Sequence, residues 1–472
     1  MADYDLIAIG AGTGGLTVTK LVARRGKKVA MIERFKPGGD CLFTGCVPTK
    51  SLVHAAKLIH HARHGARFGV VTNDIHLDYQ AVRRHVAAAQ HEAGQVESPE
   101  AIAKNNVELI TGEAHFIDPH TIEVGGRQLT AEHIVIATGG EPAVPPIPGL
   151  IEAGFDTNVQ AVAWETLPKS LCVIGAGPIG SEFGQLMSRF GVQVTMLQGA
   201  DRIMERDDPE ASTLMREIFE REGITVHTDA KVFRVEGGEG GHRLVHFVVH
   251  GDAHVVEFER ILVAAGRTPE LEPLNLQAAG VKTNNRGVIV DEQMRSNVKH
   301  IFAVGDVAGG YQFTHVAEAQ ARLVANLINK PGFISRRFQK WSDRVVPRVT
   351  YTDPEVASVG LTEEQARKER KNVKVWRVPL SEVDRAITMG ATDGFLKVVT
   401  AKGWQSKFGL AGSLGDEIVG ACLVGPGAGE LLMPLVVAMK ARLPIGLVAW
   451  NMQAYPTMAL GVRQVTGLPF DV

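Results

Sequence analysis

The feature that most limits how this chain can fold is a glycine turn that occurs twice, each time between a short apolar run and an amphipathic stretch. Residues 4–9 (YDLIAI) lead into Gly10-Ala11-Gly12-Thr13-Gly14-Gly15, a helical stretch to Arg25, and then KKVAMIE ending at Glu33. Residues 171–174 (LCVI) lead into Gly175-Ala176-Gly177-Pro178-Ile179-Gly180, a helical stretch through Phe190, and then VQVTML. Strand, turn, helix and strand within about 30 residues, with G-x-G-x-x-G in the turn, form a dinucleotide-binding signature. Gly10 and Gly12, like Gly175 and Gly177, allow the turn and the close approach of a pyrophosphate. Gly15 and Gly180 let helix and strand pack together, and the helix N-terminus supplies N–H groups and positive potential.

Both units run 23 positions from the first glycine to the position that reads a ribose, Glu33 in the first and Gln198 in the second. A carboxylate there bonds ribose hydroxyls and repels a 2′-phosphate. Gln198 lacks that charge and admits either nicotinamide cofactor, and with Arg202 or Arg206 near enough to meet a phosphate the reading favours NADPH.

A chain of 472 residues has room for about three domains at roughly 150 residues each. Its formal charge of -2 provides no positive field to hold phosphate backbones or anionic lipid, so neither nucleic acid nor membrane is an expected partner. The apolar region around 418–450 is interrupted by Glu430, Lys440 and Arg442, so no bilayer-spanning run of about 20 residues is expected there. Asp3 and Asp5 precede an apolar run that passes straight into a glycine turn, which does not read as a signal peptide and predicts a cytoplasmic protein.

Helical patterns at 50–66 and 79–105 follow the first unit, and a Pro and Gly cluster in HIVIATGGEPAVPPIPG at 133–149 marks a crossover. RILVAAGRTP at 260–269 closes the second unit, and HIFAVGDVAGG at 300–310 follows it. Residues 345–472 carry strand signals at 345–352, 394–400 and 418–424 and helical signals at 362–371 and 428–441. Arg367-Lys368-Glu369-Arg370-Lys371 reads as a solvent-facing, mixed-charge helix.

Four cysteines are too few for a secreted disulfide framework, and Cys41 and Cys46 stand five positions apart in a glycine-containing loop just past the first unit. Pro48 suits the first turn of a helix running toward His64, which places Cys46 near its positive end and lowers its thiol pKa. Cys172 and Cys422 lie in apolar strands and read as core. His60, His61 and His64 share one helix face, a spacing that can hold a transition metal, but without an acid or cysteine beside them they read as solvated. No metal site is expected.

The motif GGDCLFTGCVPTK at 38–50 resembles the flavin-dependent pyridine nucleotide-disulfide oxidoreductases, a family that includes lipoamide dehydrogenase, glutathione reductase and mercuric reductase. The resemblance extends through ATGG at 137–140, GPIGSE at 177–182, AAGRTP at 264–269, AVGDVA at 303–308 and YTDPEVASVGLTE at 351–363, and so covers nearly the whole chain. It implies an α/β fold with two Rossmann-like dinucleotide-binding domains and a C-terminal α+β dimerisation domain. The expected layout is an FAD domain at 1–148 and 271–343, an NAD(P) domain at 149–270 and an interface domain at 344–472 of a homodimer.

By the same resemblance FAD lies on the first unit, near Thr138, Gly139 and Gly305, with Asp306 bonding its sugar-like chain, and NAD(P)H lies on the second, near Gly266. Cys41 and Cys46 would form the redox disulfide, with Cys46 next to the flavin and Cys41 as the interchange thiol. Lys50 would sit beside the flavin, paired with Glu182. Electrons would pass from NAD(P)H through the flavin to this disulfide and on to a small or protein-bound disulfide, a lipoyl-type group or a thiophilic metal.

One departure bears on the acceptor. The family's disulfide reductases carry a His-Pro motif and a Glu five residues after the His, contributed across the dimer; here the matching residues are Tyr455-Pro456 and Leu460, and no histidine follows His315. A phenol with a pKa near about 10 is a poor base at neutral pH. Mercuric reductase resembles this pattern with its own tyrosine, but the family expectation also includes a further vicinal cysteine pair that the four cysteines here do not supply. Alternative readings are a quinone reductase or diaphorase that uses the flavin directly, and a non-catalytic redox sensor.

Overall fold

The computed structural model describes residues 2–72, 74–330, 339–403 and 415–467. Tyr4–Ile9 runs parallel to Val29–Glu33 on one side and Arg127–Ile136 on the other, and Val107–Thr111 extends the sheet beyond Val29–Glu33. Ile301–Ala303 joins the same sheet, parallel to Ile134–Ile136, so the chain returns to its first unit after completing the second. Antiparallel Ala114–Phe116 and Thr121–Val124 complete seven strands. A parallel sheet is covered on both faces. Here Val18 and Val22 of helix Thr13–Ala23 and Ala321 and Val324 of helix Thr314–Asn329 pack on the Leu6, Ala8 and Met31 face.

The second sheet holds four parallel strands in the order Thr225–His227, Gln193–Leu197, Ser170–Ile174, Arg260–Val263. An antiparallel ribbon of Lys231–Gly237, Arg243–Val249 and Asp252–Phe258 lies across it, packing Val235, Val245 and Phe247 onto Cys172, Ile174 and Leu197. The sequence reading misses this ribbon. Asp252–Phe258 is exposed at every position but the last, so the period-2 alternation that reveals a half-buried strand is absent.

Five antiparallel strands form the C-terminal sheet in the order Pro347–Thr350, Glu355–Gly360, Glu417–Gly425, Phe395–Ala401, Lys374–Pro379. Three match strand signals; Glu355–Gly360 and Lys374–Pro379 do not, the latter being an edge strand that ends in proline. Two expected helices are each broken. The 79–105 pattern divides into Tyr79–Gly94 and Pro99–Lys104, because Pro99 keeps Ser98 extended and the Ser98 hydroxyl then caps Ala101 N–H at 3.2 Å. The 428–441 pattern divides into Ala428–Leu431 and Met433–Ala441, with Pro434 in the second helix's first turn.

The contact that positions the site joins the two nucleotide units. Helix Cys46–Arg63 buries Leu52, Ala56 and Ile59 in one cluster with Phe183, Leu186, Met187 and Phe190, mostly from helix Pro178–Arg189. Full burial of a large apolar side chain contributes about 1.5–3 kcal/mol, so this docking is strong. It brings the face carrying Cys46 and Lys50 against the helix carrying Glu182.

Candidate active site

The cysteine loop is seated on the first glycine turn. Gly38 N–H donates to Ala11 O at 2.8 Å, and a Cβ at Gly39 would lie 2.9 Å from Gly12 Cα, so only two glycines allow the backbones to approach this closely. Cys41 sits in the short helix Gly39–Phe43. The chain then turns at Gly45, where a Cβ would lie 2.9 Å from Asp40 O, and Cys46 opens helix Cys46–Arg63. A thiolate at a helix N-terminus is favoured by the free N–H groups and the dipole.

The two thiols lie in neighbouring helices and are not equivalent. The neighbouring Cys41 thiol lowers Cys46 against the effect of burial, helped by Thr314, whose hydroxyl lies 3.4 Å away, and by the Lys50 charge. The Cys46 thiolate, burial and the charge of Glu97 push the Cys41 thiol up. Lys50 follows Cys46 by one helical turn. Its Nζ lies 2.8 Å from Glu182 Oε2 and 4.6 Å from the Tyr351 ring centroid. Burial works to lower Lys50, but the Glu182 carboxylate outweighs it and keeps the ammonium charged.

The glycine turns are built alike. Gly10 has φ +102° and Gly175 φ +100°, and a Cβ would meet Ala137 O at 2.5 Å or Ala264 O at 2.6 Å. A Cβ at Gly15 would lie 1.9 Å from Gly10 O, and one at Gly180 1.9 Å from Gly175 O. A Cβ at Gly177 would meet nothing within 4 Å and one at Gly12 only Gly39 Cα at 4.0 Å, which leaves room on the side from which a pyrophosphate approaches. Glu33 accepts from Ala11 N–H at 2.7 Å and Phe35 N–H at 2.8 Å; Gln198 accepts from Ala176 N–H at 2.8 Å. Glu33, Gly10 and Thr138 line one open cleft with Arg34, Glu113 and Leu274. A glycine cradle opening beside a cleft with a carboxylate fits an adenine dinucleotide.

Gly139 has φ +74°, and Gly305, at φ +79°, donates its N–H to Gln320 Oε1 at 2.8 Å. Asp306 accepts from Arg267 Nε at 2.9 Å, and burial pushes its carboxyl up. Arg267, just after Gly266 at φ +116°, also bonds Asp40 and the Gly140 carbonyl. It therefore ties the residue before Cys41 to the one expected to hold the flavin chain. The sequence reading does not single out Arg267, Thr314 or Tyr351; only their places inside or near the quoted motifs point to them.

Other expected residues lie apart from this group. Tyr455 is 71% exposed, and the Asp384 carboxylate raises its phenol pKa. His61 approaches Asp353 at 3.6 Å, His64 Nδ1 bonds His60 O at 2.8 Å, and His60 is pushed down to about 4, chiefly by burial. Among the described residues no three or more His, Cys, Asp and Glu side chains converge as a metal site. Cys172 and Cys422 are buried in the core.

A model of the family described as pyridine nucleotide-disulphide oxidoreductase matches residues 4–321, and a model of that family's dimerisation domain matches residues 346–465. This chain belongs to the pyridine nucleotide-disulphide oxidoreductases. It is 34% identical over 470 residues to a mercuric reductase of Staphylococcus aureus, covering 99% of this chain and 83% of that protein. It is 35% identical over 470 residues to a dihydrolipoyl dehydrogenase of Thermus scotoductus, covering 98% of this chain and 97% of that one. Among solved structures, the HOCl-induced flavoprotein disulfide reductase RclA from Escherichia coli superposes with a TM-score of 0.83 at 28% identity, covering 98% of this chain and 99% of that one. A Cu(II) complex of RclA superposes equally well, at 0.83.

This oxidoreductase therefore has the α/β fold of the flavoprotein disulfide oxidoreductases and uses FAD and NAD(P)H. Its dimerisation domain supports assembly as a homodimer. Among the described residues no helix is long and apolar enough to cross a membrane.

Proposed function

We propose that this oxidoreductase moves electron pairs from NAD(P)H to the Cys41–Cys46 pair and on to a disulfide, a lipoyl-type group or a thiophilic metal ion taken as substrate. The observation that carries the reading is the unequal placement of the thiols: Cys46 opens helix Cys46–Arg63 with the Thr314 hydroxyl at 3.4 Å and Lys50 one turn on, a setting that lowers it, while Cys41 is pushed up. FAD supplies two-electron transfer between nicotinamide and sulfur. Gly10, Gly12, Gly15, Glu33, Thr138, Gly139, Gly305 and Asp306 would hold it, and Gly175, Gly177, Gly180, Gln198 and Gly266 would hold the nicotinamide cofactor.

With a disulfide acceptor, Cys41 attacks one sulfur and the other leaves as a thiolate; Cys46 then attacks Cys41, closing the enzyme disulfide and releasing the second thiolate. Two electrons leave the pair; Cys41 gives up its proton and Cys46 attacks as the thiolate, so one of the two thiolates released takes the Cys41 proton and the other takes a proton from solvent. Those protons need a carrier, and Tyr455 is a weak one: the Asp384 carboxylate raises an already high pKa. A soft metal ion needs thiolates and electrons but little proton transfer, so this chemistry and the names of the relatives together favour a thiophilic substrate.

Anaerobic titration tests the proposal. Uptake of four electrons per FAD, lost on Cys41→Ser, is the expected result; uptake of two in the wild type would mean that electrons leave from the flavin alone. Iodoacetamide should alkylate Cys46 of the reduced enzyme with a pH midpoint below the ordinary thiol value of about 8.5, and a midpoint at or above that value would contradict the assigned roles.

A further inference from the structure

Lys50 is not held by its own helix alone. Four groups face its ammonium: Glu182 Oε2 at 2.8 Å, the Thr49 hydroxyl at 3.4 Å, the Tyr351 ring at 4.6 Å from its centroid, and the Cys46 thiolate, one turn back along the helix. Tyr351 acts on this pair twice, since its backbone N–H also donates to Glu182 Oε1 at 2.9 Å. One residue of the C-terminal domain thus grips both partners of an ion pair formed between the two nucleotide units.

The segment around Tyr351 is itself clamped. Gln185 accepts from Asp353 N–H at 2.8 Å and donates to Asp353 O at 2.8 Å. Arg189 Nη1 donates to Asp353 Oδ2 at 2.9 Å, and Lys57 Nζ lies 3.1 Å from Asp353 Oδ1. Burial works to raise the Asp353 carboxyl, but Arg189 and Lys57 together hold it low and charged. Glu182, Gln185 and Arg189 follow one face of helix Pro178–Arg189, and Lys50 and Lys57 lie two turns apart on the cysteine helix. Both helices therefore present one row of side chains to residues 351–353.

Resting on the proposed role of the thiol pair, we propose that Tyr351 is a positioning residue: it holds the Lys50 ammonium against Glu182 and within reach of Cys46. The C-terminal domain then helps to set how strongly Cys46 is stabilised as a thiolate. An ammonium over an aromatic face loses a favourable interaction when the ring is removed. It then has more freedom to turn toward solvent, and Cys46 loses part of its neighbouring positive charge.

The test reads the alkylation rate of Cys46 by iodoacetamide in reduced, FAD-loaded enzyme across pH, with peptide mass spectrometry locating the label. Y351L, or Y351M as a longer apolar replacement, should raise the Cys46 midpoint by about half a pH unit. Y351F, which keeps the ring and the backbone N–H, should keep the wild-type midpoint. K50Q should raise the midpoint further, and Y351L added to K50Q should raise it no more. A midpoint moved by K50Q but not by Y351L or Y351M overturns the role of Tyr351. A midpoint that K50Q leaves in place overturns instead the assignment of Lys50 on which the proposal rests. A Y351L shift that persists in K50Q also overturns it, because Tyr351 would then act without the lysine.

Discussion

In the first glycine turn a carboxylate, Glu33, takes the Ala11 amide at 2.7 Å; in the second an uncharged amide side chain, Gln198, takes the Ala176 amide at 2.8 Å. The backbones around them are near copies, with first-glycine φ values of +102° and +100° and the same 1.9 Å exclusion at Gly15 and Gly180. The turn therefore requires an oxygen acceptor at that reach, not a negative charge. The charge is left for the ligand to select. The surroundings follow this division: Glu33 opens on a cleft with Arg34, Glu113 and Glu270, while Gln198 is almost fully buried and is followed by Arg202, which is engaged with Asp201 and the Glu205 carbonyl.

Glycine substitution should separate the two turns most sharply. G180A places a Cβ against Gly175 O, a backbone atom that has no room to move, and should slow reduction by NAD(P)H by about 100-fold or more while bound flavin and reduction by dithionite persist. G15A should instead release the flavin, as absorbance after gel filtration would show. Loss of flavin from both variants would mean that the turns do not act independently.

The next effect tests the tie between the units. E182A leaves Lys50 and the Tyr351 N–H without their carboxylate and should lower stability by about 3 kcal/mol, the low end for breaking a buried pair because the lysine is partly exposed. An unchanged urea midpoint would remove that pair from the account of how the units dock.

Charge exchange at Gln198 is gentler. Q198E should keep the fold, since Glu33 shows that a carboxylate makes the same bond, but should lower kcat/KM for NADPH about tenfold relative to NADH through repulsion of the 2′-phosphate. An unchanged ratio would place cofactor selection elsewhere. The smallest effect is expected for E33Q: thermal stability within about 1 kcal/mol of wild type, and flavin affinity weakened about tenfold through loss of a charged hydrogen bond. Unfolding of E33Q would show that the first turn, unlike the second, depends on charge.

The nucleotide turns and the cysteine loop were legible because their requirements are local: a positive φ, a missing Cβ and a helix N-terminus are carried by neighbouring residues. The ribbon at 231–258 was not, because its outer strand lacks a buried face, and the helix breaks near Ser98 and Leu432 were hidden by apolar periodicity that continues across them. The pairing of Lys50 with Glu182 entered only through resemblance to a family.

By itself the sequence determined that this chain builds two dinucleotide turns and sets two thiols beside the first of them. Tertiary structure alone decided that Cys46 meets Thr314, 268 positions away, that Arg267 links Asp40 to Asp306, and that Tyr351 closes over Lys50. The physical reason is that helices and sheets dock through apolar burial, which is proportional to area and carries no code for partners. Which polar groups then meet at the edges of those contacts is settled only when the whole chain has folded.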